Sequence, residues 1–196
     1  MARPYNLVER CTAFRPLGFA TLTSVKILLV CTGNLCRSPM AEGLLRAAFK
    51  ARDIEGVEVA SAGTWGMEGE PPTRLARSVM ADRGIDIGAQ RATSLGSDDL
   101  VAADLVLVMT SVHRREIDER LPAVSDKVLL LNELHEMETS GDTAEQRLAA
   151  LLAGKRPPYR RALDLDDPMG LPPAVYERCA REISKGIDRV LELLWP

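Results

Sequence analysis

Residues Val25-Lys26-Ile27-Leu28-Leu29-Val30 form a short apolar run that stops at Cys31 and turns through Thr32-Gly33-Asn34. Leu35-Cys36-Arg37 follow, and then Ser38-Pro39-Met40-Ala41-Glu42. A nearly continuous stretch of aliphatic and β-branched residues suits a strand buried on both faces of a parallel sheet. Thr-Gly-Asn supplies turn signals, and Gly33 permits a sharp turn or a left-handed conformation. Ser38 suits a helix N-cap, and Pro39 suits the first helical position, where its missing N–H costs nothing. Met40, Leu44, Leu45 and Phe49 recur at helical spacing, which predicts a helix to about Ala51. A strand that feeds a helix through such a turn aims backbone N–H groups at one spot, the physical basis of an anion site.

The side chains of this segment suggest what the anion does. Helix N-termini and neighbouring cations favour the thiolate form of a cysteine, and Cys31 stands at the base of the turn. The planar fork of Arg37 can hold two phosphoryl oxygens, which a lysine cannot match. Ser38 can donate its hydroxyl to the Cys31 sulfur. Arginine and backbone amides provide the positive field, so the chemistry calls for no metal and no cofactor. The bare Cys-x5-Arg spacing is weak by itself in a chain with four cysteines and 25 lysines and arginines. A buried strand-end cysteine beside a surface arginine would give it equally well. A nucleotide-binding Gly-x4-Gly-Lys-Ser/Thr loop is absent, and Cys31 and Cys36 lack the second pair or histidine cluster of a zinc site.

The complete string Cys31-Thr32-Gly33-Asn34-Leu35-Cys36-Arg37-Ser38-Pro39-Met40-Ala41-Glu42 resembles the signature of the low molecular weight protein tyrosine phosphatase family. The later elements follow the family's order over about residues 25–195. Val57 to Gly63 reads as a second strand ending in Ser61-Ala62-Gly63, and Pro72 to Arg83 as a helix closed by Gly84. Ala103 to Thr110 reads as a third strand, Lys127 to Leu131 as a fourth, and the last helix aligns Val175, Cys179, Ile183, Ile187, Val190 and Leu194 on one face. Strands alternating with helices predict an α/β fold, a doubly wound parallel sheet with its ligand at the carboxyl end of the first strand. The resemblance specifies three layers, with four parallel strands flanked by helices (flavodoxin-like, phosphotyrosine phosphatase I-like).

The resemblance also implies roles. Cys31 is the nucleophile, Arg37 clamps the transition state, and Thr32, Gly33, Asn34, Leu35, Cys36, Arg37 and Ser38 surround the phosphate. Asp164-Leu165-Asp166-Asp167-Pro168-Met169-Gly170 is similar to the loop carrying the general acid, which puts that role on Asp167, just before Pro168. Asp164 and Asp166 are its neighbours and competitors, read as loop carboxylates or caps. Asn34 and Ser61 match loop-bracing residues. Leu35, Trp65 and Met169 fall where the family has substrate walls. Cys36 matches a residue that can form a reversible disulfide with the nucleophile, to be reduced by thioredoxin or glutathione. Its other reading is a small buried residue packed beneath the loop.

Three departures bound the resemblance. Many tyrosine-specific members carry aromatics after the Asp-Pro pair, where this chain has Met169-Gly170. Arginine phosphatases of this fold carry threonine before the second cysteine, and Leu35 in that place resembles the tyrosine branch. Extra sequence at about 136–163 includes a helix expected from Asp142 or Thr143 through Leu152, with Gly154 at its end. The basic Lys155-Arg156-Pro157-Pro158-Tyr159-Arg160-Arg161 follows. This insertion is read as a solvated surface segment, or else as a flap recruiting acidic phosphorylated partners. Residues 1–23 carry three arginines and one acid without a sustained apolar run. They are read as a loose N-terminal extension, neither a secretory signal nor a membrane span.

A chain of 196 residues with ordinary hydrophobic content has room for one cored domain, here residues 24–196. Its net charge of −3 argues against nucleic acid as a partner, so anion preference must be local. Few and irregularly spaced cysteines fit the reducing cytoplasm. The expected substrate is a phosphorylated protein or peptide, with phosphotyrosine ahead of phosphoarginine. Arsenate reduction on the same fold needs further thiols as a relay, yet beyond Cys31 and Cys36 the chain has only Cys11 and Cys179. A non-catalytic phosphate-binding module would have no use for a nucleophile and an acid.

Overall fold

The computed structural model describes residues 25–196, so the N-terminal extension anticipated over 1–23 lies outside the described residues. Four strands form one parallel sheet: β1 (Val25–Cys31), β2 (Val57–Gly63), β3 (Leu105–Val108) and β4 (Val128–Leu130), in the order β2-β1-β3-β4. Six α-helices accompany them: α1 (Arg37–Ala51), α2 (Arg74–Ala81), α3 (Ser97–Ala102), α4 (Ser111–Arg120), α5 (Ala144–Ala153) and α6 (Pro173–Leu194). This is the expected doubly wound, flavodoxin-like α/β arrangement.

The alternation of strand side chains builds two cores. Ile27, Leu29, Cys31, Leu105, Leu107 and Leu129 point into the larger one, which α1, α2 and α6 cover. Leu28, Val30, Val106, Val108, Val128 and Leu130 point into the other, closed by Leu100 of α3 and Ile117 of α4. Because both faces are covered, β1, β3 and β4 read as nearly continuous apolar runs, while the edge strand β2 exposes Glu58 and Ala60. The sheet changes direction between β1 and β3, so the segments leaving their carboxyl ends diverge and leave a crevice there.

Helix α1 begins with Cys36 as its N-cap, two residues before the serine expected in that place. Ser38 lies inside the first turn because Cys31 and Asn34 engage its hydroxyl, and it makes no cap. Helix α2 is shorter than the sequence predicts, and its end is closed as expected around Gly84, which takes φ 72° while Ile85 N–H returns to the Met80 carbonyl. Helix α5 is capped by Thr143 and followed by Gly154.

The reading of 136–163 as a solvated surface segment holds for most of its residues but not for the inner face of α5. Leu148 and Leu151 of α5 are buried in the larger core with α6. The basic run after it is mostly engaged by the protein. Arg156 donates to the carbonyls of Val128, Ser125 and Asp126, Arg160 pairs with Glu136, and Arg161 pairs with Asp166. Three of its four cations therefore have partners within the protein, Arg156 on backbone carbonyls and Arg160 and Arg161 in exposed ion pairs, which weakens the recruiting-flap reading.

Candidate active site

The loop between β1 and α1 is held open by one residue. Asn34 adopts φ 55°, in the left-handed region that asparagine tolerates better than most side chains. Its amide is fixed on both sides. Oδ1 accepts from Thr93 N–H at 2.9 Å, which orients the group and leaves Nδ2 to donate to Ser38 Oγ at 2.8 Å and Ser61 Oγ at 2.9 Å. Ser61 in turn donates to Glu42 Oε2 at 2.7 Å. Ser38 Oγ accepts from Asn34, and its own proton has two acceptors in reach, Cys31 Sγ at 3.0 Å and the Ala62 carbonyl at 3.4 Å. Asn34 and Ser61, expected to brace the loop, thus lie in one hydrogen-bonded network that reaches Ser38 and the Cys31 sulfur.

The segment after β2 lies alongside. Thr64, Trp65 and Met67 donate their N–H groups to the carbonyls of Cys31, Thr32 and Gly33 at 2.9, 2.9 and 3.2 Å. Gly63 makes this approach possible, because a Cβ there would stand 2.4 Å from the Thr32 carbonyl oxygen. Leu35 and Met67 flank Gly33, and Trp65 is 73% exposed. Met169 is exposed as well. Of the three residues expected as walls, Trp65 and Met169 are exposed and Leu35 packs partly into the core.

The acid loop joins the site through β3. Leu165 N–H bonds the Met109 carbonyl at 2.8 Å, and the Leu165 carbonyl accepts from Arg37 Nη1 at 3.2 Å. The three candidate carboxylates have different principal partners, although Arg161 lies within 3.9 Å of Asp164 as well as beside Asp166. Asp164 accepts from Ser111 N–H, Ser111 Oγ and Tyr159 OH, so it anchors the first turn of α4. Asp166 faces Arg161 at 2.6 Å. Asp167 Oδ2 meets Arg37 Nη2 at 2.5 Å, while its Oδ1 accepts from Met169 N–H. Arg37 is buried, and its Nε has no hydrogen-bond partner among the described residues.

Cys36 has partners of its own beside this centre. Its sulfur lies 3.4 Å from both Thr73 Oγ1 and Tyr176 OH, and burial pushes its thiol pKa up. That is the environment of a packed thiol. Burial also raises the Tyr176 phenol and the Cys179 thiol to about 12.

Two residues at the site escape a reading of the sequence. Tyr176, next to the anticipated Val175, closes over Cys36. His113 of α4 bonds Thr32 Oγ1 through Nε2 at 2.9 Å and Thr110 Oγ1 through Nδ1 at 3.0 Å. Only two histidines occur in the chain, and this one follows the third strand by a few residues, where the switch point falls.

A cysteine at the foot of a strand–loop–helix anion nest, faced by a buried arginine and a carboxylate, defines a phosphate-handling α/β enzyme. The model of the family described as low molecular weight phosphotyrosine protein phosphatase matches residues 26–146. A probable low molecular weight protein-tyrosine-phosphatase of Ralstonia nicotianae is 41% identical over 162 residues, covering 83% of this chain and 90% of that protein. A protein-arginine-phosphatase of Geobacillus stearothermophilus is 36% identical over 169 residues, covering 86% and 95%. The crystal structure of a low molecular weight protein tyrosine phosphatase from T. tengcongensis superposes with TM-score 0.69 at 36% identity, over 86% of this chain and 99% of that one. The chain belongs to the low molecular weight phosphotyrosine protein phosphatase family.

Proposed function

We propose that the protein hydrolyses phosphotyrosine in protein or peptide substrates through a phosphocysteine intermediate, with Cys31 as nucleophile, Arg37 as clamp and Asp167 as general acid and base. The observation that carries this is the convergence of Asp167 and Arg37, 2.5 Å apart, on the loop where Ser38 faces the Cys31 sulfur. An incoming phosphoryl group takes the guanidinium from Asp167, and Arg37 Nε gains an acceptor. Cys31 Sγ attacks phosphorus as the phosphorus–oxygen bond to the leaving group breaks, and that oxygen takes a proton from Asp167. Asp167 then removes a proton from water. The water oxygen attacks phosphorus, and the sulfur leaves as a thiolate that Ser38 stabilises.

Leu35 and Met67 beside Gly33, with the exposed Trp65 and Met169 on neighbouring loops, are apolar, which favours an aryl ester over a charged one. Phosphoarginine is the second reading, favoured by the similarity to the Geobacillus stearothermophilus protein. A reducing cytoplasm suits the thiolate, with thioredoxin or glutathione as its reductant. Among the described residues, no helix is long and apolar enough to cross a membrane.

The test is reduced, chelator-treated protein assayed side by side on phosphotyrosine, phosphoarginine and phosphoserine peptides. Turnover is expected to be fastest on phosphotyrosine and absent in Cys31→Ser. Faster release from phosphoarginine would reverse the substrate assignment, and no turnover on any of them would remove the enzymatic reading.

A further inference from the structure

His113 is a buried titratable group for which the reaction above has no role. Both of its ring nitrogens are occupied, Nε2 by Thr32 Oγ1 and Nδ1 by Thr110 Oγ1. Thr32 Oγ1 also receives Arg37 Nη2 at 3.3 Å, and the same Nη2 reaches Asp167. One assignment of protons directs the Thr32 hydroxyl. A guanidinium only donates, so Thr32 Oγ1 is an acceptor towards Arg37 and has a single proton to give. Nε2 of His113 is the acceptor placed to receive it. A neutral imidazole with an accepting Nε2 carries its proton on Nδ1, and Thr110 Oγ1 accepts that proton. Thr110 is the N-cap of α4, and its oxygen also accepts from His113 N–H at 3.4 Å.

We propose that His113 is a positioning residue for the phosphatase reaction. It holds the Thr32 hydroxyl with its lone pair towards Arg37, and so fixes the guanidinium plane that meets the phosphoryl oxygens. The inference rests on the phosphatase reading given above. In the opposite tautomer the roles exchange: with Nε2 protonated, Thr32 Oγ1 would accept from two donors, as Thr110 Oγ1 does in the state above, and nothing in this network would hold the Thr32 proton away from Arg37.

The surroundings keep the ring neutral. Burial lowers its pKa to about 4, and the Arg37 charge acts in the same direction. Glu116 of α4 and the acid-loop carboxylates Asp167 and Asp164 act against it without prevailing. The cap at Thr110 ties this device to the start of α4, whose next residue is anchored by Asp164. The guanidinium is thus set from two sides, by the Leu165 carbonyl of the acid loop and by the threonine–histidine pair.

Three variants test the assignment. His113→Leu keeps bulk without an acceptor, His113→Gln restores an acceptor near the Nε2 position, and Thr32→Val removes the hydroxyl. His113→Leu is expected to lower kcat/KM on an aryl phosphate about 10- to 100-fold, mostly through kcat, because a small misplacement of a clamp is felt in the transition state. Vanadate, which mimics the five-coordinate phosphorus, should lose more affinity than phosphate. His113→Gln should recover most of the loss, and His113→Leu with Thr32→Val should be little worse than either alone.

Kinetics within twofold of the wild type for His113→Leu would overturn the proposal, as would equal losses of vanadate and phosphate affinity or losses that multiply in the double variant. Nitrogen NMR of the wild type at neutral pH is expected to show Nδ1–H on the signal absent from His113→Gln; an Nε2–H tautomer would also overturn it. An inactive wild type would instead remove the phosphatase reading itself, so the two failures are distinct.

Discussion

The Asp167 carboxylate lies 2.5 Å from the Arg37 guanidinium, although 130 positions separate the two residues in the chain. The loop bearing Asp167 is brought there by the bonds of Leu165 to Met109 and to Arg37. This ion pair and a phosphoryl anion compete for the same guanidinium. Asp167→Ala should therefore bind inorganic phosphate more tightly while slowing turnover. The slowing should reach about 100-fold or more for poor phenol leaving groups and be much smaller for activated ones, as expected on loss of a general acid. Rates across a series of leaving groups, with phosphate inhibition constants, measure both effects. If Asp166→Ala shows the leaving-group dependence instead, the acid is misassigned, despite its engagement by Arg161.

Asn34 combines a left-handed backbone with three side-chain bonds. Asn34→Ala should cost about 2–4 kcal/mol, since it strands the buried Ser38, the half-buried Ser61 and the Thr93 N–H. Asn34→Gly relieves the backbone but not the bonds, so it should recover only part of that. Urea midpoints of the two variants separate the contributions, and equal stability of Asn34→Gly and the wild type would make the bonds unimportant.

Gly63 is required for a different reason. Its substitute's Cβ would meet the Thr32 carbonyl oxygen at 2.4 Å and Gly66 Cα at 2.8 Å, both backbone atoms that cannot rotate away. Gly63→Ala should displace the loop, lowering stability by about 1–3 kcal/mol and kcat by more than the stability loss explains. Thermal melting and kinetics on the same preparation give the comparison.

How much of this was legible beforehand depended on range. The strands and helices α1, α5 and α6 announce themselves through apolar runs, helical spacing or caps. The short α3 and the charge-rich α4 do not, because Ser111–Arg120 offers only Val112 and Ile117 as apolar markers. The loop side chains are local and carry a family-specific pattern. His113 depends on a contact across 81 residues, and Tyr176 reaches Cys36 across 140, so no periodicity betrays them. Ser38 shows the reverse failure: its type and place suit a cap, but a sulfur and an amide claim its hydroxyl.

The engaged arginines after α5 separate structure from recruitment. Arg156→Met removes donors from the carbonyls of Val128, Ser125 and Asp126, and should destabilise by about 1–3 kcal/mol. Leu151→Ala, inside the larger core, should cost about 2–5 kcal/mol. Lys155→Glu, in contrast, should leave the ratio of peptide to small aryl phosphate turnover unchanged. A selective loss on acidic phosphopeptides in Lys155→Glu would restore the recruiting-flap reading.

The buried histidine also predicts an acid-sensitive fold. Its pKa is about 4 in the folded protein against an ordinary 6.5. Between those values the unfolded chain binds the extra proton and the folded one does not. Stability from this group is therefore complete above about pH 6.5 and is lost as pH falls towards 4, by up to about 3 kcal/mol. His113→Gln, which cannot take up that proton, should lose correspondingly less stability between pH 7 and pH 4.5. Urea unfolding of both proteins at the two pH values checks this. Parallel losses would mean that the carboxylates, rather than His113, govern the acid limb.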